Sequence, residues 1–452
     1  MKNLLTIFFF LSQILLVAQN RSYPKTELIA DLNYLNKALM NAHPINYKRA
    51  EKITIQPFID SIEKKLPATF AWRTYEFALR EGIAKIGCVH TALLTAPKMH
   101  QSTIVPTRFY PLSMFDFQSL QDTLGIVVGD AITSINGISK QDLEHKMLHY
   151  RGGDGHSTAL SREMMNADFS TMLYRIIGAV DTFDIEINGT KHVVMVAKPL
   201  KKTFRRITPQ YSVLYASKTD TLFDNGKTAM WKIRAFANKV TDYKAVFAII
   251  KAKKFDNVIF DFRGNSGGNF TVGGDLLRYF VHQTASFKMV GSYKGSRYLD
   301  TKSKFTTLPL GILMYEVFRL PIKRYKGGKH WFYAYKPNKD AFQGKVIVLI
   351  DGYTASTASQ MASFLKHKAG ATLVGTPSVG GETDNQGGLF PKIMLPKSKI
   401  QVRFPMKQLI YDMTKTPQNI SLNPHIMVNY TPQDIVEGND IALEKALAVL
   451  KK

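Results

Sequence analysis

The sequence predicts a mixed α/β fold built from three consecutive regions. Residues 25–98 have helical spacing of apolar side chains. Residues 200–450 alternate strand-like apolar runs with helical patterns, as an α/β core does. Between these regions an apolar strand pattern ends in Asn136-Gly137, a strong turn signal. We therefore expect a helical N-terminal region (25–98), a β-rich module (104–198) and an α/β core (200–450).

The first 18 residues have the parts of a secretion signal. Lys2 is followed by apolar runs at 4–10 and 14–17, and Ala18 suits a cleavage site. The apolar core is too short for a membrane span, and no later stretch reaches about 18 apolar residues. We expect a signal peptide at residues 1–18 and a mature chain that is periplasmic or secreted.

Length and composition restrict the function classes. The chain has 452 residues, 45% of them apolar, which is enough for two or three domains with real cores. The formal charge of +25 is spread along the chain. It indicates either a well-solvated basic surface or, as the sharper alternative, attraction to acidic substrates or to an anionic envelope surface. A secretion signal without a recognition motif argues against nucleic acid as a partner.

The helical region carries three apolar stripes. The third stripe leads directly to His90, a candidate general base. The stripe residues are Leu28, Leu32, Leu35 and Leu39, then Ile55, Phe58, Ile59, Ile62 and Leu66, then Tyr75, Leu79, Ile83 and Ile86. Cys88, the single cysteine, excludes a disulfide within one chain. It lies two residues before His90, but no second Cys/His cluster follows, so we expect no metal and no other cofactor.

The β-rich module, residues 104–198, resembles a PDZ-type domain, and the stretch 127–137 carries the resemblance. Such modules bind an extended peptide by strand addition. The same module contains Gly153-Asp154-Gly155-His156-Ser157-Thr158, whose histidine is a second candidate base. The order of segments places His156 inside this module, away from the helical region.

The core contains two buried-looking strands that lead into loops suited to catalysis. The first, 258–262, runs into a loop with Gly264, Gly267 and Gly268, followed by a helical pattern over 271–282. Such glycines let backbone N–H groups face a ligand. Residues 291–344 form a poorly patterned insertion, and residues 434–450 predict a C-terminal helix.

The second strand, 346–350, leads through a short turn to Ser356 and then to a helix. A serine at a helix N-terminus lies where free N–H groups and the helix dipole stabilise negative charge. A nucleophile needs that environment, although the ordinary alternative is that Ser356 only caps the helix. The oxyanion donors would be the N–H groups of Thr357 and of Gly267 or Gly268. Ser359 is a rival nucleophile three residues on.

Three motifs together resemble the tail-specific, or C-terminal-processing, serine protease family. They are Asp261-Phe-Arg-Gly-Asn-Ser-Gly-Gly268, Thr354-Ala-Ser-Thr-Ala-Ser359 and Leu373-Val-Gly-Thr-Pro-Ser-Val-Gly-Gly381. The resemblance covers roughly residues 25 to 450 and implies a protease core of the ClpP/crotonase-like type. One branch of the family uses a lysine as the base, and this chain has Gly381 at the position of that lysine. The chain resembles the tricorn-like branch, in which an N-terminal histidine is the base.

In that branch the histidine lies in an Asp-Gly-His-Thr element, for which this chain has Cys88-Val89-His90-Thr91. The third catalytic member is a glutamate shortly before a Gly-Val-x-Pro motif. The corresponding stretch, 418–424, has no glutamate, and Asn419 is the best substitute. The resemblance thus implies Ser356 as nucleophile, His90 as base and Asn419 as its orienting partner.

Three functions follow as hypotheses. The first is a serine endopeptidase acting on proteins or peptides delivered by the PDZ-like module. The second is a catalytically inactive peptide-binding protein on the same scaffold, since both the lysine and the glutamate are missing. The third is a small-molecule esterase that uses the same serine.

Overall fold

A computed structural model describes residues 22–46, 53–94, 127–195 apart from 179 and 181, 211–291 apart from 239, 324–325, 328–413 apart from 389 and 391, and 420–451. The predicted signal peptide, residues 1–18, and the candidate Asn419 lie outside these ranges. No helix in the described ranges is both long and apolar enough to cross a membrane.

The N-terminal region contains the three predicted helices and three short strands. They are β1 (Ser22–Pro24), α1 (Lys25–Ala42), α2 (Gln56–Lys65), β2 (Thr69–Ala71), α3 (Trp72–Ala84) and β3 (Ala92–Leu93). The predicted stripes face inward, with Leu28, Leu32 and Tyr75 fully buried. Their core also contains apolar side chains from residues 393–406, so this region does not have a separate core.

The β-rich module has one antiparallel sheet in the order β5-β4-β6-β7 and two helices. Its elements are β4 (Ile132–Ile135), β5 (Ile138–Ser139), α4 (Lys140–Leu148), α5 (Ala159–Ile177), β6 (Thr182–Ile187) and β7 (Thr190–Met195). The predicted turn lies between β4 and β5, where Asn136 and Gly137 both have positive φ. Residues 104–126 of the predicted module lie outside the described ranges.

The α/β core is built on a seven-stranded sheet in the order β21-β16-β15-β11-β10-β9-β8. Its strands are β8 (Ser212–Ala216), β9 (Asp220–Asn225), β10 (Thr228–Ile233), β11 (Asn257–Asp261), β15 (Lys345–Ile350), β16 (Thr372–Gly375) and β21 (Ile426–Met427). Neighbours from β10 to β21 are parallel. Alternate side chains of β15 enter two separate cores, Val348 on one face and Leu349 on the other. This two-sided burial explains the continuous apolar runs.

Helices cover both faces of this sheet. They are α6 (Tyr243–Ala252), α7 (Phe270–Leu277) and α8 (Thr357–Ala369) on one face and α10 (Ile441–Leu450) on the other. The predicted single C-terminal helix is instead two helices, α9 (Pro432–Glu437) and α10, because Gly438 adopts a left-handed conformation and ends α9. The helix predicted over 271–282 begins one residue earlier and is shorter.

A second sheet carries part of the predicted insertion. Its order is β13-β14-β12-β20-β17, with β12 (Ala285–Gly291), β13 (Arg324–Tyr325), β14 (Gly328–Tyr335), β17 (Asp384–Gly387) and β20 (Lys407–Tyr411). Within the 291–344 insertion, residues 328–335 thus form a regular strand, β14, along β12. A third small sheet, β18-β19-β3, joins β18 (Lys392–Met394) and β19 (Gln401–Arg403) to the N-terminal β3.

Candidate active site

Ser356 lies at the junction of β15 and α8, as predicted. Its backbone has φ 53° and ψ −124°, a conformation that is costly for a residue with a Cβ. Although Ser356 occupies the N-cap position of α8, its side chain makes no capping hydrogen bond. The interpretation of Ser356 as a simple helix cap is therefore wrong, and its hydroxyl is left for another role.

Ser359, the rival nucleophile, is fully buried. Its hydroxyl donates to the Ser356 carbonyl over 2.9 Å, one turn into α8. It also lies so close to Gly380 that a Cβ there would be 2.1 Å from the Ser359 Oγ. A hydroxyl packed and bonded in this way has no room for a substrate carbonyl.

The glycine loop after β11 packs directly against Ser356. A Cβ on Gly267 would lie 2.7 Å from the Ser356 Cβ and 2.9 Å from the Thr357 nitrogen. Gly267 and Gly268 both have positive φ, 107° and 139°. Only glycine permits this approach with this backbone, so the sequence places the loop beside the serine as predicted.

Three backbone N–H groups are candidate donors of an oxyanion hole, and one of them already donates a hydrogen bond within the protein. The Gly267 N–H donates to the Asn265 side-chain oxygen over 2.8 Å and is already in use. The N–H groups of Gly268 and Thr357 have no acceptor within the described residues, and the Thr357 hydroxyl donates to the Gly268 carbonyl over 2.8 Å. This geometry favours Gly268 and Thr357 as the oxyanion donors, with Gly267 as the close-packed spacer.

Buried carboxylates hold the two loops together. Asp351, in the turn before Ser356, accepts the Gly264 N–H at both oxygens, over 3.0 and 2.9 Å. Arg263, next to Gly264, bonds Asp261 and Asp440 at distances of 2.6 to 2.9 Å. These bonds fix the glycine loop before any substrate binds, as preorganised electrostatic catalysis requires.

His90 lies between α3 and β3, two residues before Ala92, where β3 begins and pairs with β19. The preceding residue, Val89, packs with Ala355 and Val379 in a small buried cluster. The neighbours of His90 and of Ser356 are thus in contact. Within the described residues, however, no hydrogen bond joins the His90 ring to Ser356.

The surroundings of His90 keep its ring neutral. Its Nδ1 is buried and has no hydrogen-bond partner among the described residues, and the ring stacks on Phe390 at 5.3 Å between centroids. Burial, then the charges of Arg403 and Arg151, lower the pKa of His90 to about 3. The imidazole is therefore an acceptor at neutral pH, which is the form a general base needs.

Asp154 is a site residue that our sequence analysis did not identify. It is buried, and its two oxygens accept N–H groups from Val89 over 3.0 Å and Gly381 over 3.2 Å. Burial raises the pKa of Asp154 to about 7. It therefore joins the His90 segment to the core. We noted its motif, 153–158, within the sequence of the β-rich module, and the structure shows that this segment also contacts the N-terminal region and the core.

His156, from the same motif, occupies a different place. It is exposed, and its ring lies against Gly87, where a Cβ would be 2.9 Å from the ring. His156 lines a cavity of about 580 Å³ with Ser157, Glu163 and Thr376. Neither Ser356 nor His90 is among the residues that line this cavity. His156 therefore lines a cavity that does not include the candidate nucleophile.

A metal could be held only by one group of three ligands within the described residues. Potential ligand atoms of Cys88, His90 and Asp154 lie within 4.8 Å of one another. Burial and the nearby Asp154 raise the pKa of the Cys88 thiol to about 12, so it is not a thiolate at neutral pH. The arginines that lower the His90 pKa also oppose a cation, and we assign no metal to this group.

The backbone at Gly381 has no room for a side chain. A Cβ there would lie 2.0 Å from the Asp384 carbonyl oxygen. A base at this position, as in the lysine branch, would need the backbone to move. The segment after Asn419 lies close by, since Gly381 forms a β-bridge with Ser421 and the Glu382 N–H donates to the Ile420 carbonyl.

Residues 227–428 match the family model described as Peptidase family S41. Over 95% of its length the chain is similar to the structure of mature CPAF complexed with lactacystin, covering 98% of that chain at 14% identity and a TM-score of 0.57.

A second structure of mature CPAF gives 14% identity and a TM-score of 0.55 over 95% of this chain and 97% of that one. The photosystem II D1 C-terminal processing protease gives 13% identity and a TM-score of 0.37 over 92% and 98%. No curated protein matches. The CPAF likeness confirms the mixed α/β fold.

Proposed function

We propose that this chain is a serine-type peptidase, since residues 227–428 match the model of Peptidase family S41, and that it hydrolyses peptide bonds through an acyl-enzyme on Ser356. His90 acts as general base and then returns its proton to the leaving nitrogen. The oxyanion donors are Gly268 and Thr357. Proteins or peptides are the substrates that the family implies.

The observation that carries this proposal is the conformation of Ser356. The residue has a costly backbone geometry, an uncapped hydroxyl and a glycine loop packed against its Cβ. A structural serine would need none of these features. Strain that the surrounding bonds maintain is typical of a preorganised reactive residue.

The base is a histidine rather than a lysine in this proposal, which places the chain in the tricorn-like branch. The tight backbone at Gly381 supports it, since a lysine side chain has no room there. The contact between Val89 and Ala355 also supports it, because each residue directly precedes one of the two catalytic groups.

Two residues are candidates for the group that orients His90. Asn419 remains our sequence-based candidate and lies outside the described residues. Asp154 is an additional candidate, because its carboxylate holds the backbone beside His90 and lies within 4.8 Å of the ring. Asn419→Ala should lower kcat roughly 10- to 1000-fold if the amide orients the ring, and leave it unchanged otherwise.

We further propose that the mature enzyme acts in the periplasm or outside the cell. The sequence of residues 1–18 supports this, as does a positive charge that suits an anionic envelope. N-terminal sequencing of the exported protein would show whether cleavage follows Ala18. An intact N-terminus on exported protein would contradict the signal peptide.

The central experiment is labelling of the full-length mature protein with a fluorophosphonate probe. We expect labelling of the parent enzyme and of Ser359→Ala, and none of Ser356→Ala. His90→Ala should label and cleave roughly 100- to 10,000-fold more slowly. Labelling of Ser356→Ala would overturn the assignment of the nucleophile.

The inactive binding protein remains the second candidate, because no hydrogen bond joins Ser356 to His90 in the described structure. It predicts peptide binding without labelling of any serine. An esterase would label at Ser356 but turn over small esters and not peptides, so a comparison of the two substrate types separates it.

A further inference from the structure

Helix α8, which begins directly after the candidate nucleophile, is bonded in its second half to one buried residue, Glu382. The Glu382 carboxylate accepts from Lys366 Nζ and from His367 Nε2 through the same oxygen, over 2.8 Å in each case. The Glu382 backbone carbonyl accepts the Ser363 hydroxyl over 2.5 Å. Three side chains of α8 therefore hold Glu382 in place.

The segment 380–382 also packs against the N-terminal end of α8 and the turn before it. The Gly380 N–H donates to the Thr354 carbonyl over 3.3 Å, and a Cβ on Gly380 would meet the Ser359 hydroxyl. Hydrogen bonds to an ionised group are shorter and roughly twice as strong as those between neutral groups. The carboxylate of Glu382 therefore makes the strongest bonds between this segment and the helix.

Gly381, which directly precedes Glu382, leads from α8 to the proposed base. Its N–H donates to Asp154 over 3.2 Å, and the other carboxylate oxygen of Asp154 accepts the Val89 N–H over 3.0 Å. Val89 directly precedes His90. A continuous series of contacts, which we call the Glu382 relay, therefore connects α8 to the backbone beside His90.

We propose that Glu382 is a positioning residue, which fixes the separation of His90 from Ser356. This inference rests on the proposed function. Ser356 lies at the start of α8, whereas His90 follows the N-terminal helices, so their separation depends on how the two regions are joined. Glu382 fixes its segment on α8, and Asp154 transmits that position to the backbone beside His90. Since a misplacement of about 1 Å can slow a reaction roughly 100-fold, these bonds matter for catalysis.

An apolar contact also joins the two regions, but it does not define their separation. Val89 packs with Ala355 and Val379 in a small buried cluster. Apolar contacts are not directional, so they bring the two segments together without fixing a distance between them. Hydrogen bonds have preferred distances and angles and therefore do fix one. The relay thus contributes the geometry that the apolar contact lacks.

The kinetic test uses Glu382→Gln, which keeps the size of the side chain but replaces one acceptor oxygen with a donor group. We expect kcat to fall roughly 10- to 100-fold and KM to change less than about twofold, because substrate binding is not altered. Peptide hydrolysis and fluorophosphonate labelling should slow by the same factor, because both need the base. An unchanged kcat would overturn the proposal.

Glu76→Gln is the matched control. Glu76 is 8% exposed, against 6% for Glu382, and it also accepts from two cations, Arg80 at 2.6 Å and Arg175 at 2.8 Å, through one oxygen. Among the described residues it has no hydrogen bond to α8 or to the Glu382 relay. Both variants should lose a similar amount of stability, so a fall in kcat confined to Glu382→Gln separates positioning from structural support. An equal fall in both would overturn the proposal.

The partners on α8 provide a second variant, which also decides the question if Glu382→Gln does not fold. Lys366 and His367 are partly exposed, with 18% and 29% of their side-chain surfaces accessible. We expect Lys366→Met combined with His367→Leu to reproduce the fall in kcat. Adding Glu382→Gln should then cost no more than the larger of the two effects, since both act through one set of bonds. Additive losses would mean that Glu382 acts by another route and would overturn the proposal.

Hydrogen exchange followed by mass spectrometry tests the relay without catalysis. The Val89 N–H donates to Asp154, so its exchange reports the relay even in a protein that cleaves nothing. In Glu382→Gln we expect exchange at Val89 to be roughly 10- to 100-fold faster, and in Glu76→Gln to be unchanged. If the parent protein neither labels nor cleaves, the proposed function fails, yet the exchange result still stands. Unchanged exchange at Val89 in Glu382→Gln would overturn the relay even in an active peptidase.

Discussion

A glycine in the loop after β11 can be required for close packing against Ser356 or for its positive φ. Variants of Gly267 and Gly264 distinguish the two requirements. Gly267 and Gly264 both have positive φ, but a Cβ at Gly264 meets nothing within 4 Å. We expect Gly267→Ala to abolish fluorophosphonate labelling, since the new methyl group would push Ser356 away. Gly264→Ala has the same kind of backbone cost, about 1 kcal/mol, and should retain labelling. Equal loss in both variants would mean that only backbone strain matters.

The position of Gly381 allows a test of the choice of base. A lysine there restores the residue of the other branch, yet its Cβ would meet the Asp384 carbonyl at 2.0 Å. We expect Gly381→Lys to lower the melting temperature and the activity together, and not to rescue His90→Ala. Recovery of activity in the double variant would show that the backbone yields and that a lysine base is accessible.

His43 makes stability depend on pH. It is fully buried, its Nε2 lies 2.9 Å from the Thr91 hydroxyl, and burial, then His90, lowers its pKa to about 3. An unfolded histidine has a pKa near 6.5, so the unfolded state binds more protons between these values. The contribution of His43 is therefore complete above pH 6.5 and is lost as the pH falls towards 3.

Denaturant unfolding of the parent and of His43→Gln at pH 7, 6 and 5 tests this prediction. The parent should lose up to about 1.4 kcal/mol more per pH unit below 6.5 than the variant. His90 acts in the same direction and the raised pKa of Asp154 in the opposite one, but both are present in either protein. Parallel slopes would mean that His43 is protonated in the folded state.

At the scale of elements, helix α1 supports the strand that carries Arg403. Asp31 of α1 is fully buried and accepts the N–H groups of Lys397 and Ser398, over 2.7 and 2.9 Å, and the Tyr75 hydroxyl. Asp31→Asn leaves one of these donors without an acceptor, so we expect a loss of about 1 to 3 kcal/mol in the free energy of unfolding.

Asp60→Asn on α2 is the control for that change. Its exposed carboxylate is bonded by the Gln56 side chain at 2.9 Å, and the free energy of unfolding should change by less than about 0.5 kcal/mol. A similar result for Asp31→Asn would show that α1 and the 397–400 loop are not energetically linked.

The strands and loops of the site also show which parts of the structure could be predicted from the sequence. Strands β11 and β15 were predictable because burial on both faces leaves an unbroken apolar run. Ser356 and Gly267 were predictable because a strand, a glycine loop and a helix follow each other within a few residues. Asp154 and Arg403 were missed because their partners, Gly381 and His90, lie far away along the chain.

At the scale of the whole molecule, we expect the N-terminal region and the core to fold as one cooperative unit. The N-terminal core includes Ile393, Leu395, Val402 and Phe404, all buried. A chain that begins at residue 211 would expose these side chains. We expect it to bind a hydrophobic dye and to lack a cooperative melt, unlike the chain that begins at residue 22. A sharp melt of the shorter chain would mean that the core is autonomous.

The hydrogen bonds of Asp154 also affect the order in which the site forms during folding. Asp154 bonds Val89, which lies 65 positions before it in the chain, and Gly381, which lies 227 positions after it. Contacts of such separation form late, since closing long loops is slow. During folding, Ser356 would therefore exist for a period without His90, its proposed base, in place. We expect probe labelling on refolding to lag behind the recovery of secondary structure, so that a newly made molecule is unable to digest its neighbours until its own folding is complete.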